Sequence, residues 1–320
     1  MSAFREPFDY LTRLALPEGG WGYHTGQPLH LEPTCFALLA LALDPQRQKA
    51  TLDRALAALE VHADGTGLYR LLRGRPQAIW PTAMVLFTKT VLGKTDKHTA
   101  TRLLEVRGQT IKGDPEVGAM MDINPERVGW PWAEGTFSWV EPTAWAILAL
   151  RAAGFATHPR VIEGTHLLLD RAFETGGINY GNRKVLDNLT EPIPGPTALM
   201  LLALQGSDEP RVVAAQRYLR NTVATMTDLE HLAWAKLALD CYPHDPENLA
   251  ALPKLDEQLK AAYTAQTAEG RPISIVRHAL TALALQANNP FRLASEAVPT
   301  TGAAVPPAKP EDPPKPGFFE

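Results

Sequence analysis

Three glutamates share one recurring position in this chain. Glu32, Glu141 and Glu230 each stand two residues before the Thr34, Thr143 or Leu232 that heads an Ala/Leu-rich run. Carboxylates gathered at one place suit acid–base catalysis or ligand binding. The plainer reading is that each sits at a helix N-terminus, where the macrodipole favours negative charge by about 0.3–1 kcal/mol. Glu is a weak N-cap beside Ser, Thr, Asp or Asn, so a working role for at least one stays open. Aromatic residues crowd the same stretches: Phe137, Trp139 and Trp145 flank Glu141, and Trp80 precedes another run. Such faces can line a cavity and stabilise a cation, or stack between neighbouring hairpins. Stacking is the expectation for Trp21, Trp130 and Tyr180, whereas Trp80 and Trp139 are cavity candidates.

Other reactive residue types carry bland expectations. His231 and His278 at run starts read as hydrogen-bonded helix-start residues, and Cys35 and Cys241 as small buried hydrophobes. Asp122, Arg183 and Asp187 read as solvated loop residues. No Walker loop, dinucleotide fingerprint, His-Glu-x-x-His or nucleophile elbow is present.

The elements that must position these groups follow from an internal repeat. Gly19-Gly20-Trp21-Gly22-Tyr23 precedes Glu32-Pro33-Thr34 and the run CFALLALAL. Gly67-Leu68-Tyr69 precedes Trp80-Pro81-Thr82 and AMVLF, and Gly129-Trp130-Pro131-Trp132 precedes Glu141-Pro142-Thr143 and AWAILAL. Gly176-Gly177-Ile178-Asn179-Tyr180 precedes Gly195-Pro196-Thr197 and ALMLLAL; two later copies, around positions 232 and 278, keep only the run. Successive copies lie 48, 61, 54, 35 and 46 residues apart, room for two helices each. Pro in the first turn suits a helix start, where its missing N–H has no intrahelical partner. The runs are apolar all round, so their helices are buried on both sides, and an amphipathic helix follows each. The predicted architecture is all-α, with inner helices ringed by half-wet outer ones. No run alternates with period two long enough to suggest a sheet.

With 320 residues, 45% of them hydrophobic, one large domain over residues 1–290 can bury a core. Residues 291–320 are set apart as a Pro-rich tail, since from Val298 onward Pro, Lys, Glu and small residues dominate and disorder is expected. A net charge of -4 gives no electrostatic footprint for nucleic acid. Two cysteines allow neither a disulfide framework nor a cysteine-rich zinc module. No signal peptide is read at the N-terminus, and no apolar stretch is long enough to span a bilayer, so a cytoplasmic location is expected.

GGWGY, a short loop, then x-Pro-Thr-Ala or -Cys and an Ala/Leu helix resembles the prenyltransferase/squalene oxidase repeat of class II terpene cyclases and protein prenyltransferase β subunits. The resemblance covers roughly Pro17 to Leu285 and implies an α/α toroid, a closed barrel of about six helical hairpins. It implies an isoprenoid or similar apolar ligand in the toroid cavity, lined here by Trp80, Trp139, Phe137 and Trp145. Glu141 falls on the proton-donating acid of the cyclases and Glu32 on the same motif less fully; Trp139 and Pro142 replace the flanking acids. In the prenyltransferases an Asp-x-Cys pair and a His hold zinc. Asp228 and His278 match these, Glu230 stands where the Cys would be, and the set is suited to one divalent metal ion. Cyclase sites usually lie between two toroids, which implies a partner protein completing the site. The alternatives to cyclase-like chemistry are a non-enzymatic binding or scaffold protein, or a metal-dependent enzyme.

Overall fold

A computed structural model describes residues 4–294 apart from 72–76, 112–114, 186–187, 269 and 271. In chain order its helices are α1 (Glu6–Leu14), α2 (Leu31–Leu41), α3 (Pro45–Glu60), α4 (Pro81–Val91), α5 (Lys97–Glu105), α6 (Pro115–Met121) and α7 (Val140–Ala152). They continue as α8 (Pro159–Arg171), α9 (Pro194–Ala203), α10 (Pro210–Val223), α11 (Leu229–Leu239), α12 (Pro246–Ala268) and α13 (Ile275–Ala284). The chain is all-α but for a ribbon of β1 (Lys184–Val185) and β2 (Asn188–Leu189), paired antiparallel with Lys184 opposite Leu189. No sheet was expected; strands of two residues are too short for alternation to reveal them. Among the described residues no helix is long and apolar enough to cross a membrane. Asp187 lies outside the described residues.

The six apolar runs are α2, α4, α7, α9, α11 and α13, and burial separates them from the rest. Every residue of α2 except Glu32 is buried, whereas α5 buries only Thr99, Ala100 and Leu103. α2 packs on α4, α4 on α7, α7 on α9, α9 on α11 and α11 on α13; α13 also packs on α2. α3, α5, α8, α10 and α12 each pack on the run helix preceding them. α1 packs on α13, so one hairpin is assembled from opposite ends of the described chain.

Threonine explains why the repeat is x-Pro-Thr. Thr34 Oγ accepts the Trp21 N–H at 2.9 Å and donates to the Trp21 carbonyl at 3.1 Å. Thr82 repeats this with Tyr69, Thr143 with Trp130 and Thr197 with Ile178. Each buried hydroxyl thus binds the Gly-aromatic loop to the first turn of its helix and satisfies a buried loop N–H. The first glycine of each pair lets the same loop close on the following outer helix. Gly19 and Gly176 have φ of 105° and 111°, and a Cβ there would lie 2.5 Å from the Arg54 carbonyl oxygen or 2.3 Å from that of Ala214.

The loop aromatics then stack as expected for Trp21 and Trp130. Trp21 Nε1 donates to the Leu11 carbonyl at 2.9 Å, and Trp130 Nε1 to the Leu103 carbonyl at 2.8 Å. The buried Arg160 guanidinium lies 3.8 Å above the Trp130 ring and donates to the Val106 and Gly129 carbonyls. Tyr180 departs from the expectation. Ile178 takes the buried slot in its copy, and Tyr180 is 47% exposed.

Candidate functional site

The first turns of five inner helices converge on one small cleft. Glu32, Glu141, Gly195, Glu230 and Val276 line it, the same repeat position of α2, α7, α9, α11 and α13. Four residues deeper on three of these helices stand Phe36, Trp145 and Trp234, which form its floor. A spacing of four puts each glutamate directly above an aromatic ring on one helix face. α2, α7 and α11 carry a glutamate over an aromatic ring, while α4, α9 and α13 carry no glutamate there and have Trp80 over Met84, Gly195 over Leu199 and Val276 over Leu280. The three glutamates therefore come from alternate run helices.

Beneath the carboxylates the interior is filled. Phe36, Trp145 and Trp234 contact one another at ring-centroid distances of 5.6–6.1 Å. Phe291 completes the plug, stacked on Phe87 at 5.2 Å and lying 5.7 Å from Trp234 and 6.2 Å from Trp145. What remains open at the carboxylate end is a cleft of about 50 Å³. Small-molecule sites for drug-sized ligands run to roughly 300–1,000 Å³.

The carboxylates are electrostatically unequal. Tyr23 donates to Glu32 Oε2. Burial raises the Glu32 pKa and Glu230 adds to the rise, partly opposed by the Tyr23 hydrogen bond. Glu141 forms no hydrogen bond or ion pair with any described side chain; burial, then Glu32 and Glu230, push its pKa up to about 8. Tyr180, on the rim, is raised by burial and by Glu141 and Glu230. Arg277 reaches the edge of the cluster, with its Nε 3.7 Å from Glu230 Oε2 and its Nη2 3.2 Å from Asp228 Oδ2.

The expected cavity aromatics part company. Trp145 is buried in the central plug. Trp80 meets Trp132 edge-on at 5.3 Å. Phe137 and Trp139, 47% and 37% exposed, face a separate groove of about 180 Å³ with Met121, Ile123 and Arg171. These four residues do not line one cavity. Asp122 and Arg183 are paired rather than merely solvated, with Arg183 Nε 2.8 Å from Asp122 Oδ2.

The metal set is not assembled either. Asp228 Oδ1 accepts the N–H groups of Glu230 and His231 as the cap of α11, and its other oxygen meets Arg277. His278 is buried, with Nδ1 2.8 Å from the Tyr263 hydroxyl and its ring stacked on Tyr10 at 4.8 Å. Burial and nearby Arg13 lower its pKa to about 4. A guanidinium between the two carboxylates and an imidazole committed elsewhere do not fit a divalent ion. Among the described residues no group of three or more His, Cys, Asp or Glu could hold one.

Sequence reasoning did not single out Tyr23, Trp234, Arg277 or Phe291. Trp234 carried a signal, since it stands four residues after Glu230 as Trp145 does after Glu141. Phe291 carried none: it falls at the start of the segment 291–320 read as the Pro-rich tail, yet it is buried in the core. No family model matches the chain, and no curated protein is significantly similar to it.

Proposed function

We propose that this chain is a closed α/α toroid of the prenyltransferase/squalene oxidase repeat type that binds a small ligand at the mouth of its inner helices. Closure is supported by the packing of α13 on both α2 and α1. The observation that carries the binding site is the aromatic plug of Phe36, Trp145, Trp234 and Phe291, which fills the space beneath the carboxylates and leaves about 50 Å³ at the mouth. Titration with farnesol, followed through Trp145 and Trp234 fluorescence, is expected to give no saturable change. Stoichiometric farnesol binding that perturbs both tryptophans would overturn this reading.

A second reading keeps the chemistry implied by the resemblance, with Glu141 donating a proton to an alkene. It is favoured by one observation: a carboxyl with a pKa of about 8 still holds its proton at neutral pH. It requires the plug to open around the substrate. Conversion of a linear polyene by wild type, lost in Glu141→Gln, would establish this second reading in place of the first.

A further inference from the structure

The groove beside Phe137 and Trp139 lies apart from the mouth, and its walls are bonded into place. The Gln109 N–H donates to the Thr136 carbonyl at 2.9 Å, the Ile111 N–H to that of Pro125 at 3.2 Å, and the Trp139 N–H to that of Trp130 at 3.1 Å. Loop segments are thereby fixed side by side. Ile111, Met121, Ile123, Pro125, Phe137 and Trp139 give the groove, about 180 Å³, its apolar lining. Phe137 and Trp139 still stand 47% and 37% exposed, and large apolar side chains left to water side by side mark a place where something binds.

The charge in this lining has one sign. Arg127 and Arg171 line the groove, and among the described residues no carboxylate does. Asp122, between the lining residues Met121 and Ile123, is drawn off by Arg183. The Arg171 side chain is only 7% exposed, yet its guanidinium is poorly satisfied. Its Nη1 donates to Asn182 Oδ1 at 3.1 Å, its Nε is buried without a hydrogen bond, and its Nη2 donates to no described residue. Asp170 Oδ2 stands 3.7 Å from that Nε and is already committed to the Asn124 N–H at 3.0 Å. Burial lowers the Arg171 pKa to about 10, opposed by Asp170 and reinforced by Arg183, so the group is a cation at neutral pH. A buried charge short of acceptors is costly, and a carboxylate is the acceptor that matches a guanidinium.

We propose that this groove binds a small aromatic carboxylate, with the ring against Phe137 and Trp139 and the carboxylate on Arg171. Arg127, exposed and without an ion pair among the described residues, adds positive charge to the same lining. Size agrees, because an apolar cavity of about 150 Å³ takes one benzene and the groove is about 180 Å³. An inorganic anion would leave the aromatic walls unused, and a neutral ring would leave Arg171 short of acceptors. The proposal is independent of any ligand at the mouth.

Nuclear magnetic resonance of the full chain, isotope-labelled at the indole nitrogens, resolves its seven tryptophans, and single Trp→Phe variants assign them. Benzoate should move the Trp139 signal to saturation while Trp145 and Trp234 stay still. Benzamide, which keeps the ring without the charge, and inorganic phosphate should each bind at least about tenfold more weakly. Arg171→Gln should lose about tenfold or more in benzoate affinity. Should that buried variant fold poorly, Phe137→Ala, at an exposed position, decides with an expected loss of about three- to tenfold. Lys260→Gln, on α12, controls for overall charge and should bind as wild type. A Trp139 signal unmoved by benzoate, benzamide binding as tightly as benzoate, or wild-type affinity in the folded variants overturns the proposal. Phosphate binding as tightly as benzoate overturns it too, leaving an adventitious ion only.

Discussion

Glu141 carries an electrostatic liability at the mouth, and its effect on stability has a definite sign. Burial first, then Glu32 and Glu230, raise its pKa to about 8 in the fold against about 4.5 when unfolded. Between those values the folded state binds more protons than the unfolded one, so stability falls as pH rises. Below about pH 4 the penalty is absent, and above pH 8 it is complete. Glu141→Gln removes the ionisable group while keeping its shape. It should stabilise the protein by about 1–2 kcal/mol at pH 8–9, after discounting for the open side of the cleft. The gain should vanish near pH 4. Urea denaturation of both proteins across this range measures it, and a pH-independent difference would show that Glu141 is not held protonated by its surroundings. The alignment of the three glutamates was legible in the sequence, because repeats put like positions at like places. Which of them lacked a partner was not legible. Tyr23 and Arg277 reach the cluster from a loop and from α13, and those approaches exist only after packing.

The six run helices were readable because an apolar run longer than two turns has one outcome in a packed helical repeat: burial on every side. The tether that sets each helix against its loop was less visible. Thr34, Thr82, Thr143 and Thr197 served to align the repeat, yet their role emerges only from bonds spanning 13 or 19 residues. Thr143→Val conserves shape and deletes the hydroxyl, leaving the Trp130 N–H buried and unpaired; the expected loss is about 1–3 kcal/mol. Thr165 on α8 supplies the contrast, because its buried Oγ has no hydrogen-bond partner. The same substitution there should be neutral or stabilising, since burying an unpaired hydroxyl is unfavourable. Chemical denaturation of the two variants decides the matter, and equal losses would remove the tether from the account of this fold.

At the scale of the molecule, the quantity that selects among functions is the filling of the centre, and no local pattern encodes it. It depends on ring sizes contributed by α2, α4, α7 and α11 and on Phe291, a residue whose neighbours in sequence read as tail. Phe291 is fully buried. Gln205, just past α9, holds its segment by donating to the Phe291 carbonyl at 2.8 Å and accepting the Leu293 N–H at 3.0 Å. Together with α1 packing on α13, this brings distant parts of the chain into one body. An open solenoid would tolerate damage at its last repeat by fraying there alone, because each repeat answers only to its neighbours. The closed ring proposed above, plugged through its centre, has no such end to lose. Phe291→Ala should therefore lower the stability of the whole molecule by about 3–5 kcal/mol, the cost of emptying a buried Phe site. The transition should stay single, and tryptophan fluorescence, to which the plug's Trp145 and Trp234 contribute among seven tryptophans, should coincide with far-ultraviolet circular dichroism, which reports all the helices. Separated transitions, or a loss under about 1 kcal/mol, would mean that Phe291 only decorates an open array, and the closed toroid would have to be given up with it.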